Sequence, residues 1–264
     1  MRCIFCKTLS DECVSVEHIV PESLGNKEHV LPKGWVCDSC NNYFAREVEG
    51  PFLESLYGRT SRFGMAVANK RNRIPSVTGF HAQSKTKVDL LYSRKDNGLL
   101  IGCANGHDES AWVTSIKSMK PGERGTLYML TPDTPDISRT TSRFIGKIAL
   151  EVLAYSGIDV PGWNCEIVDK AELDELRGYV RTGQPKSLWP VHMRRIYPAE
   201  FLFAEDGQDS HQVLHEWKIL RIPDSEYYVI VAIFGIEYTI NLGGPELDGY
   251  HKWMRENDSR SPLY

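Results

Sequence analysis

The feature that most constrains this chain is a pair of CxxC motifs near its N-terminus, Cys3–Cys6 and Cys37–Cys40. A CxxC turn places two thiolates on one side of a tight knuckle, and two such knuckles supply the four sulfurs of a tetrahedral zinc site. The chain has seven cysteines and begins without an apolar signal region, which favours metal ligands over disulfides. Because four cysteines complete the zinc coordination, the predicted Zn²⁺ is structural and any chemistry must come from other residues.

The residues between the two motifs predict two strands followed by a helix. Alternating residues from Cys13 to Glu17 have the period of a strand, so Glu17 and His18 are expected at its end. The helix is expected to stop at the Gly50-Pro51 dipeptide. The expected elements are therefore a strand ending at residue 18, a second strand at residues 35–36 and a helix over residues 40–49.

This order of motifs resembles one known family. The chain reads CxxC, then Glu17-His18-Ile19-x-Pro21, then CxxC followed directly by Asn41. Over about residues 1–50 it resembles the HNH endonucleases, whose core is a ββα-metal finger. The resemblance implies that Glu17 and Asn41 bind a catalytic divalent metal and that His18 is the general base. The family usually has an asparagine a few residues before the third cysteine. This chain has Leu-Pro-Lys-Gly there, so Asn26 and His29 are candidates for that positioning role.

The residue types fit phosphodiester hydrolysis. Hydrolysis needs a base that deprotonates water and a cation that stabilises charge on the phosphate and the leaving oxygen. Histidine, with an unperturbed pKa of about 6.5, is mostly neutral at cellular pH. Carboxylate and amide oxygens are hard ligands for Mg²⁺ or Mn²⁺. The resemblance and this chemistry predict an endonuclease that cuts DNA and leaves 5′-phosphate and 3′-hydroxyl ends, with RNA left open as a substrate.

Positive charge is concentrated in one segment after the predicted finger. The chain carries 31 basic and 35 acidic residues, yet no acidic residue lies between Glu54 and Asp89, where seven basic residues occur. The rest of the chain contains 24 basic and 35 acidic residues, so its formal charge is -11. Such segregation favours a phosphate-binding surface, although a solvated linker with incidental charge is the alternative. The predicted nucleic-acid contacts, here called the basic strip, are Arg59, Arg62, Lys70, Arg71 and Arg73.

The rest of the chain predicts an α+β fold with antiparallel strands. The expected divisions are a nuclease domain at residues 1–54, a basic linker at 55–85 and an α+β domain at 86–264. The last is open to roles in substrate selection, homodimer formation or binding of a regulatory partner. On the helix predicted over residues 138–156, Arg139, Arg143 and Lys147 share a face that is expected to be solvated, with an extension of the nucleic-acid surface as the alternative. Strands are expected at 87–93, 98–103, 112–116, 125–130, 193–197, 214–222 and 227–240, with further helices from about residue 169 and at 245–256.

Two other functions remain open at this point. One is a zinc-finger module that binds nucleic acid and has lost catalysis. The other is an effector nuclease, as in bacterial antiviral defence, which stays silent until a ligand or partner binds the C-terminal region. The longest apolar run, residues 227–236, is half of the ~20 residues that a membrane helix needs, so no membrane partner is expected. The expected location is the cytoplasm.

Overall fold

The computed structural model of the protein describes residues 1–93, 98–120, 124–198, 215–223 and 226–264. The fold is α+β with antiparallel sheets, as predicted. The strands are β1 (Glu17–His18), β2 (Val30–Leu31), β3 (Val77–His81), β4 (Thr86–Ser93), β5 (Gly98–Cys103), β6 (Leu127–Met129), β7 (His192–Arg195), β8 (His215–Ile222), β9 (Glu226–Ile233) and β10 (Ile236–Asn241). Leu214, the expected first residue of the strand at β8, lies outside the described residues.

The helices lie before, between and after groups of these strands. They are α1 (Asp38–Phe44), α2 (Gly50–Leu53), α3 (Leu56–Gly64), α4 (Glu109–Ser118), α5 (Arg139–Tyr155), α6 (Trp163–Asp169), α7 (Asp174–Thr182) and α8 (Asp248–Glu256). One π-helical turn, Ala45–Glu49, joins α1 to α2, and short 3-10 turns lie at Glu22–Leu24 and Ala171–Leu173. Within the described residues, every helix is too short or too polar to cross a lipid bilayer.

The chain divides into two compact units. One contains Met1–Glu54 together with Thr134–Tyr264, and the other contains Ser55–Asp133. The N-terminal segment therefore shares its unit with the C-terminal half. The basic strip, at residues 59–73, belongs to the second unit. Whether the three segments expected from the sequence act as separate functional domains stays a prediction.

The N-terminal segment is a ββα finger whose boundaries differ from those expected. The second strand is Val30–Leu31, which pairs antiparallel with β1, whereas Trp35 and Val36 lie in the turn before α1. The helix also continues beyond Gly50-Pro51 through α2. Pro51 directly follows the π-helical turn Ala45–Glu49, so the regular α-helical hydrogen bonding is already interrupted where its backbone N–H is missing.

Helix α5 is the centre of the first unit. It begins at Ser138, whose hydroxyl accepts a hydrogen bond from the Thr141 backbone nitrogen. The helix is buried along most of its length and packs against α2, α7, β9 and β10. Phe144 stacks on Phe52 of α2 with ring centroids 4.1 Å apart, which joins this helix to the N-terminal finger. Gly146 permits close approach to α7, because a Cβ at this position would lie 2.8 Å from the Val180 side chain.

The sheet of the first unit has the strand order β7-β10-β9-β8, with all neighbours antiparallel. The break predicted at Gly235 is confirmed as the turn between β9 and β10. Phe234 and Gly235 have φ values of 51° and 74°, the left-handed backbone that a two-residue hairpin turn requires. A side chain at Gly235 would meet the Tyr197 carbonyl, so the position favours glycine.

The second unit contains a four-stranded sheet in the order β5-β4-β3-β6. Its core is formed by Phe63, Val77, Val88 and Leu90. The strand predicted at residues 112–116 is wrong, because this segment is part of α4. Asp108 caps α4 by accepting a hydrogen bond of 3.0 Å from the Ala111 nitrogen, and this local bond outweighs the β propensity of the segment.

Candidate active site

The two CxxC motifs come together in one cluster. The Sγ atoms of Cys3, Cys6, Cys37 and Cys40 all lie within 4.8 Å of one another, and those of Cys6 and Cys37 are 3.6 Å apart. A tetrahedral zinc site with Zn–S bonds of about 2.3 Å places its sulfurs about 3.8 Å apart. The donor set and its spacing therefore fit structural zinc, as the sequence predicted.

Burial and mutual hydrogen bonds shift the pKa values of three of these thiols. The hydrogen bond to Cys40 lowers the pKa of the Cys3 thiol to about 5, whereas burial raises the pKa of Cys37 to about 11. The hydrogen bond to Cys3 raises the pKa of Cys40 well above its ordinary value. Four neighbouring thiolates repel each other, and a bound divalent cation is the usual means of stabilising them together.

Asn26 closes the loop between β1 and β2. Its side-chain nitrogen donates to the carbonyls of Val20 and His29 at 2.8 and 2.9 Å, and its oxygen accepts from the backbone nitrogens of Glu28 and His29. The side chain is almost completely buried. These four bonds satisfy both ends of the amide and hold β2 against β1. Asn26 thus makes the type of loop contact that a positioning residue needs.

Glu17 and His18 lie on opposite faces of this hairpin. Glu17 pairs with Leu31, and both are buried, whereas His18 pairs with Val30, and both are partly exposed. Successive residues of a strand point to opposite faces, which explains the difference. His18 is therefore accessible from solvent, whereas Glu17 faces the interior of the unit.

Asn41 lies next to the same strand. Its side-chain nitrogen donates to the Val16 carbonyl at 3.0 Å, one residue before Glu17. The amide is thereby fixed through its NH₂ group, and its oxygen is the end with the ligand chemistry. The side chain is partly exposed. Glu17 and His18 thus form β1, and Asn41 of α1 bonds to the residue that precedes this strand.

The same segment is identified by comparison with known proteins. Residues 3–57 match the family model described as HNH endonuclease. This segment is an HNH endonuclease domain. Neither a curated protein nor a solved structure gives a significant match to the chain. The HNH domain indicates a nuclease in general and hence a nucleic-acid substrate.

The buried face of the HNH domain contains a cluster that sequence reasoning missed. The ammonium of Lys147 lies 2.5 Å from Glu17 Oε1, 2.6 Å from Glu49 Oε1 and 3.0 Å from Glu151 Oε2. Lys147 and Glu151 belong to α5, and Glu49 ends the π-helical turn after α1. The expectation of a solvated face at Lys147 is therefore wrong, since its side chain is 0% exposed.

The charges in this cluster influence one another. Burial alone would lower the pKa of Lys147, but the carboxylates of Glu151, Glu17 and Glu49 hold it well above its ordinary value. Burial also raises the pKa of Glu151 well above its ordinary value, against the opposing effect of Lys147. The lysine therefore stays cationic, and its one positive charge lies against three carboxyl groups. A signal existed in the sequence: Lys147 and Glu151 are charged residues one turn apart in residues 144–155, which are otherwise free of charged side chains.

The other two basic residues of that expected face are also engaged. Arg143 donates to the Val180 carbonyl and, at 2.9 Å, to the Tyr43 hydroxyl of the HNH domain. Arg139 donates to the Gly183 carbonyl. Both arginines therefore bind the C-terminal end of α7, where cationic groups are favoured by the helix dipole. The solvated-face expectation is confirmed for Arg139, which is exposed, whereas Arg143 is half-buried.

His29, the second positioning candidate, lies in an aromatic cluster. Its ring is 4.5 Å from the Trp217 ring and 6.0 Å from the Tyr155 ring, both in edge-on geometry. Trp217 comes from β8 and Tyr155 from α5, so His29 packs the hairpin loop against the C-terminal half of the unit. Its side chain thus has a packing contact, and the loop bonds come from Asn26.

The basic strip belongs to the second unit and is only partly exposed. Asn69 accepts hydrogen bonds from the backbone nitrogens of Arg71 and Arg73 at 2.9 and 3.1 Å, and this loop carries Lys70, Arg71 and Arg73 on the surface. Arg59 is half-buried and donates to the Ser76 carbonyl. Arg62 is only 4% exposed, which does not fit a phosphate-binding surface.

Proposed function

We propose that the protein is a metal-dependent HNH endonuclease that hydrolyses DNA phosphodiester bonds. The observation that carries the proposal is the match of residues 3–57 to the HNH endonuclease family, together with the four-cysteine cluster. Glu17 and His18 form β1 of this segment, and Asn41 bonds to the residue before that strand. His18 accepts a proton from the attacking water, which it reaches from the exposed face of the hairpin. Asn26 holds the loop between β1 and β2 and so fixes the position of the backbone at His18.

The residues beside His18 suit a catalytic cation. One carboxylate and one amide oxygen fit Mg²⁺ or Mn²⁺, which usually keep several waters and bind few protein ligands. Glu17 and Asn41 would hold this ion, and it would stabilise negative charge on the phosphate and the leaving oxygen. A carboxylate has two oxygens, so the bond from Lys147 to Glu17 Oε1 is compatible with metal binding by the same side chain.

The ligand role of Asn41 gives a first test. We expect Asn41→Ala to raise the Mn²⁺ concentration for half-maximal cleavage by at least the ~10–100-fold typical of outer-shell partners, because a direct ligand is lost. The measurement is cleavage of a labelled DNA duplex over a series of Mn²⁺ concentrations. Asn42→Ala is the matched control, since Asn42 is the next residue of the same helix and is exposed. An unchanged Mn²⁺ dependence for Asn41→Ala would remove this residue from the metal site.

We further propose that Lys70, Arg71 and Arg73 contact the DNA backbone. Each phosphate contact contributes about 0.9 to the slope of log affinity against log salt. Replacing all three with glutamine is therefore expected to reduce this slope by about 2.7 and to weaken binding of every sequence alike. Fluorescence anisotropy with a labelled duplex at several salt concentrations measures the slope.

A matched control comes from three exposed basic residues near the C-terminus, Lys252, Arg255 and Arg260. The same substitutions there change the net charge equally. Equal slopes for the two triple variants would show that net charge, rather than the basic loop, governs DNA binding.

A further inference from the structure

The cluster around Lys147 joins three parts of the fold at one atom. Its ammonium contacts Glu17 of β1, Glu49 after α1 and Glu151 of α5. The four side chains are 0% (Lys147), 7% (Glu17), 14% (Glu49) and 0% (Glu151) exposed. The ammonium also donates to the His18 carbonyl at 3.4 Å. One cation from the C-terminal half thus contacts two of the three residues to which the proposed function assigns the chemistry, the Glu17 side chain and the His18 backbone.

The ammonium of Lys147 donates hydrogen bonds to the finger and not to the carboxyl group on its own helix. A buried charge must be paired, because its desolvation costs several kcal/mol, about what a good partner restores. Glu151 is on the same helix at i+4 and is fully buried, but neither of its carboxyl oxygens accepts a hydrogen bond, whereas Lys147 donates to Glu17 and to the His18 carbonyl. The contact to Glu17 is also the shortest of the three. Pairing within α5 therefore does not account for the contact to the finger.

We propose that Lys147 is a positioning residue that orients the Glu17 carboxylate and the adjoining His18 backbone. The family match ends at residue 57, so helix α5 lies outside the matched segment and completes its nuclease site. The inference rests on the proposed function, since it assigns Lys147 to the same site. Hydrogen-bonded partners of metal ligands fix ligand orientation, and their loss typically costs ~10–100-fold in metal affinity or activity.

The sharpest test is the double variant Lys147→Met/Glu151→Gln. It removes one positive and one negative formal charge, so the formal charge of the cluster is unchanged while the contact to Glu17 is lost. We expect Mn²⁺ binding by the zinc-loaded full chain, measured by calorimetry, to weaken ~10–100-fold. DNA cleavage at fixed Mn²⁺ should fall, whereas DNA affinity without Mn²⁺ should stay the same.

A matched control replaces a partly buried ion pair of the same unit. Arg194 and Glu237 lie 2.6 Å apart on neighbouring strands β7 and β10. Arg194→Met/Glu237→Gln should lower the thermal stability but leave Mn²⁺ affinity unchanged. Mn²⁺ affinity within twofold of the wild type in the folded Lys147→Met/Glu151→Gln protein overturns the proposal.

A second pair of variants covers the case in which that protein does not fold. Glu49→Gln/Glu151→Gln keeps Lys147, and the same protein with Lys147→Met differs from it only at this residue. If Lys147 acted only through its charge, its loss would tighten Mn²⁺ binding, because a cation that repels Mn²⁺ is removed. Positioning predicts weaker binding, so the sign of the change decides between the two.

The outcomes also separate this inference from the proposed function. If the variants weaken Mn²⁺ binding but the wild type cuts no DNA, the positioning role stands and the nuclease proposal fails. If the wild type cuts DNA and the Lys147 variants bind Mn²⁺ and cut like it, only the positioning role fails. Absence of Mn²⁺ binding by the wild type overturns both.

Discussion

Replacing Cys40 with serine is expected to unfold the N-terminal finger and to abolish DNA cleavage. The finger has two strands of two residues each and a first helix of seven residues. Elements of this size bury too little surface to be stable alone, and structural zinc supplies ~10–16 kcal/mol of apparent binding free energy in comparable fingers. Loss of one ligand removes most of that contribution.

Elemental analysis and thermal unfolding measure this effect. The wild type should contain one zinc per chain, and Cys40→Ser should contain almost none and unfold at a lower temperature. Cys165→Ser is the control, because this cysteine is exposed and lies outside the cluster. Full zinc content in Cys40→Ser, or equal loss in Cys165→Ser, would contradict the assignment of the four ligands.

Replacing His18 with alanine is expected to lower kcat for DNA cleavage ~10²–10⁴-fold, the usual contribution of a general base. The side chain is partly exposed and contributes little to the core, so zinc content and DNA affinity should be unchanged. The rate is measured with a labelled duplex at saturating Mn²⁺. His251→Ala serves as a control because His251 is exposed on α8. Cleavage by His18→Ala at the wild-type rate would exclude His18 as the base.

The parts of the site set by local spacing could be predicted from the sequence. The four cysteines are confirmed as one cluster because each CxxC turn fixes the separation of its own sulfurs. The position of β2 was not predictable in this way. Strand pairing depends on the loop between the strands, and here Asn26 bonds the loop so that Val30 rather than Trp35 meets β1.

The contacts between distant residues could not be predicted either. Lys147 and Glu17 are 130 positions apart, and no local pattern says which carboxylate a buried lysine will meet. Arg62 shows the same limit, because a count of charges along the chain does not distinguish a buried arginine from an exposed one. Periodicity placed α5 correctly, but its burial on nearly all sides follows from packing against α2, α7 and the sheet.

The central claim is that a zinc-stapled HNH domain in this chain hydrolyses DNA with a divalent metal. Incubation of the zinc-loaded protein with supercoiled plasmid, with Mg²⁺ or Mn²⁺ or with EDTA, tests it most directly. The account predicts nicked and linear DNA with either cation and intact plasmid with EDTA. Plasmid that is bound by the protein but stays supercoiled with both cations, at full zinc content, would contradict it and favour a module that only binds nucleic acid.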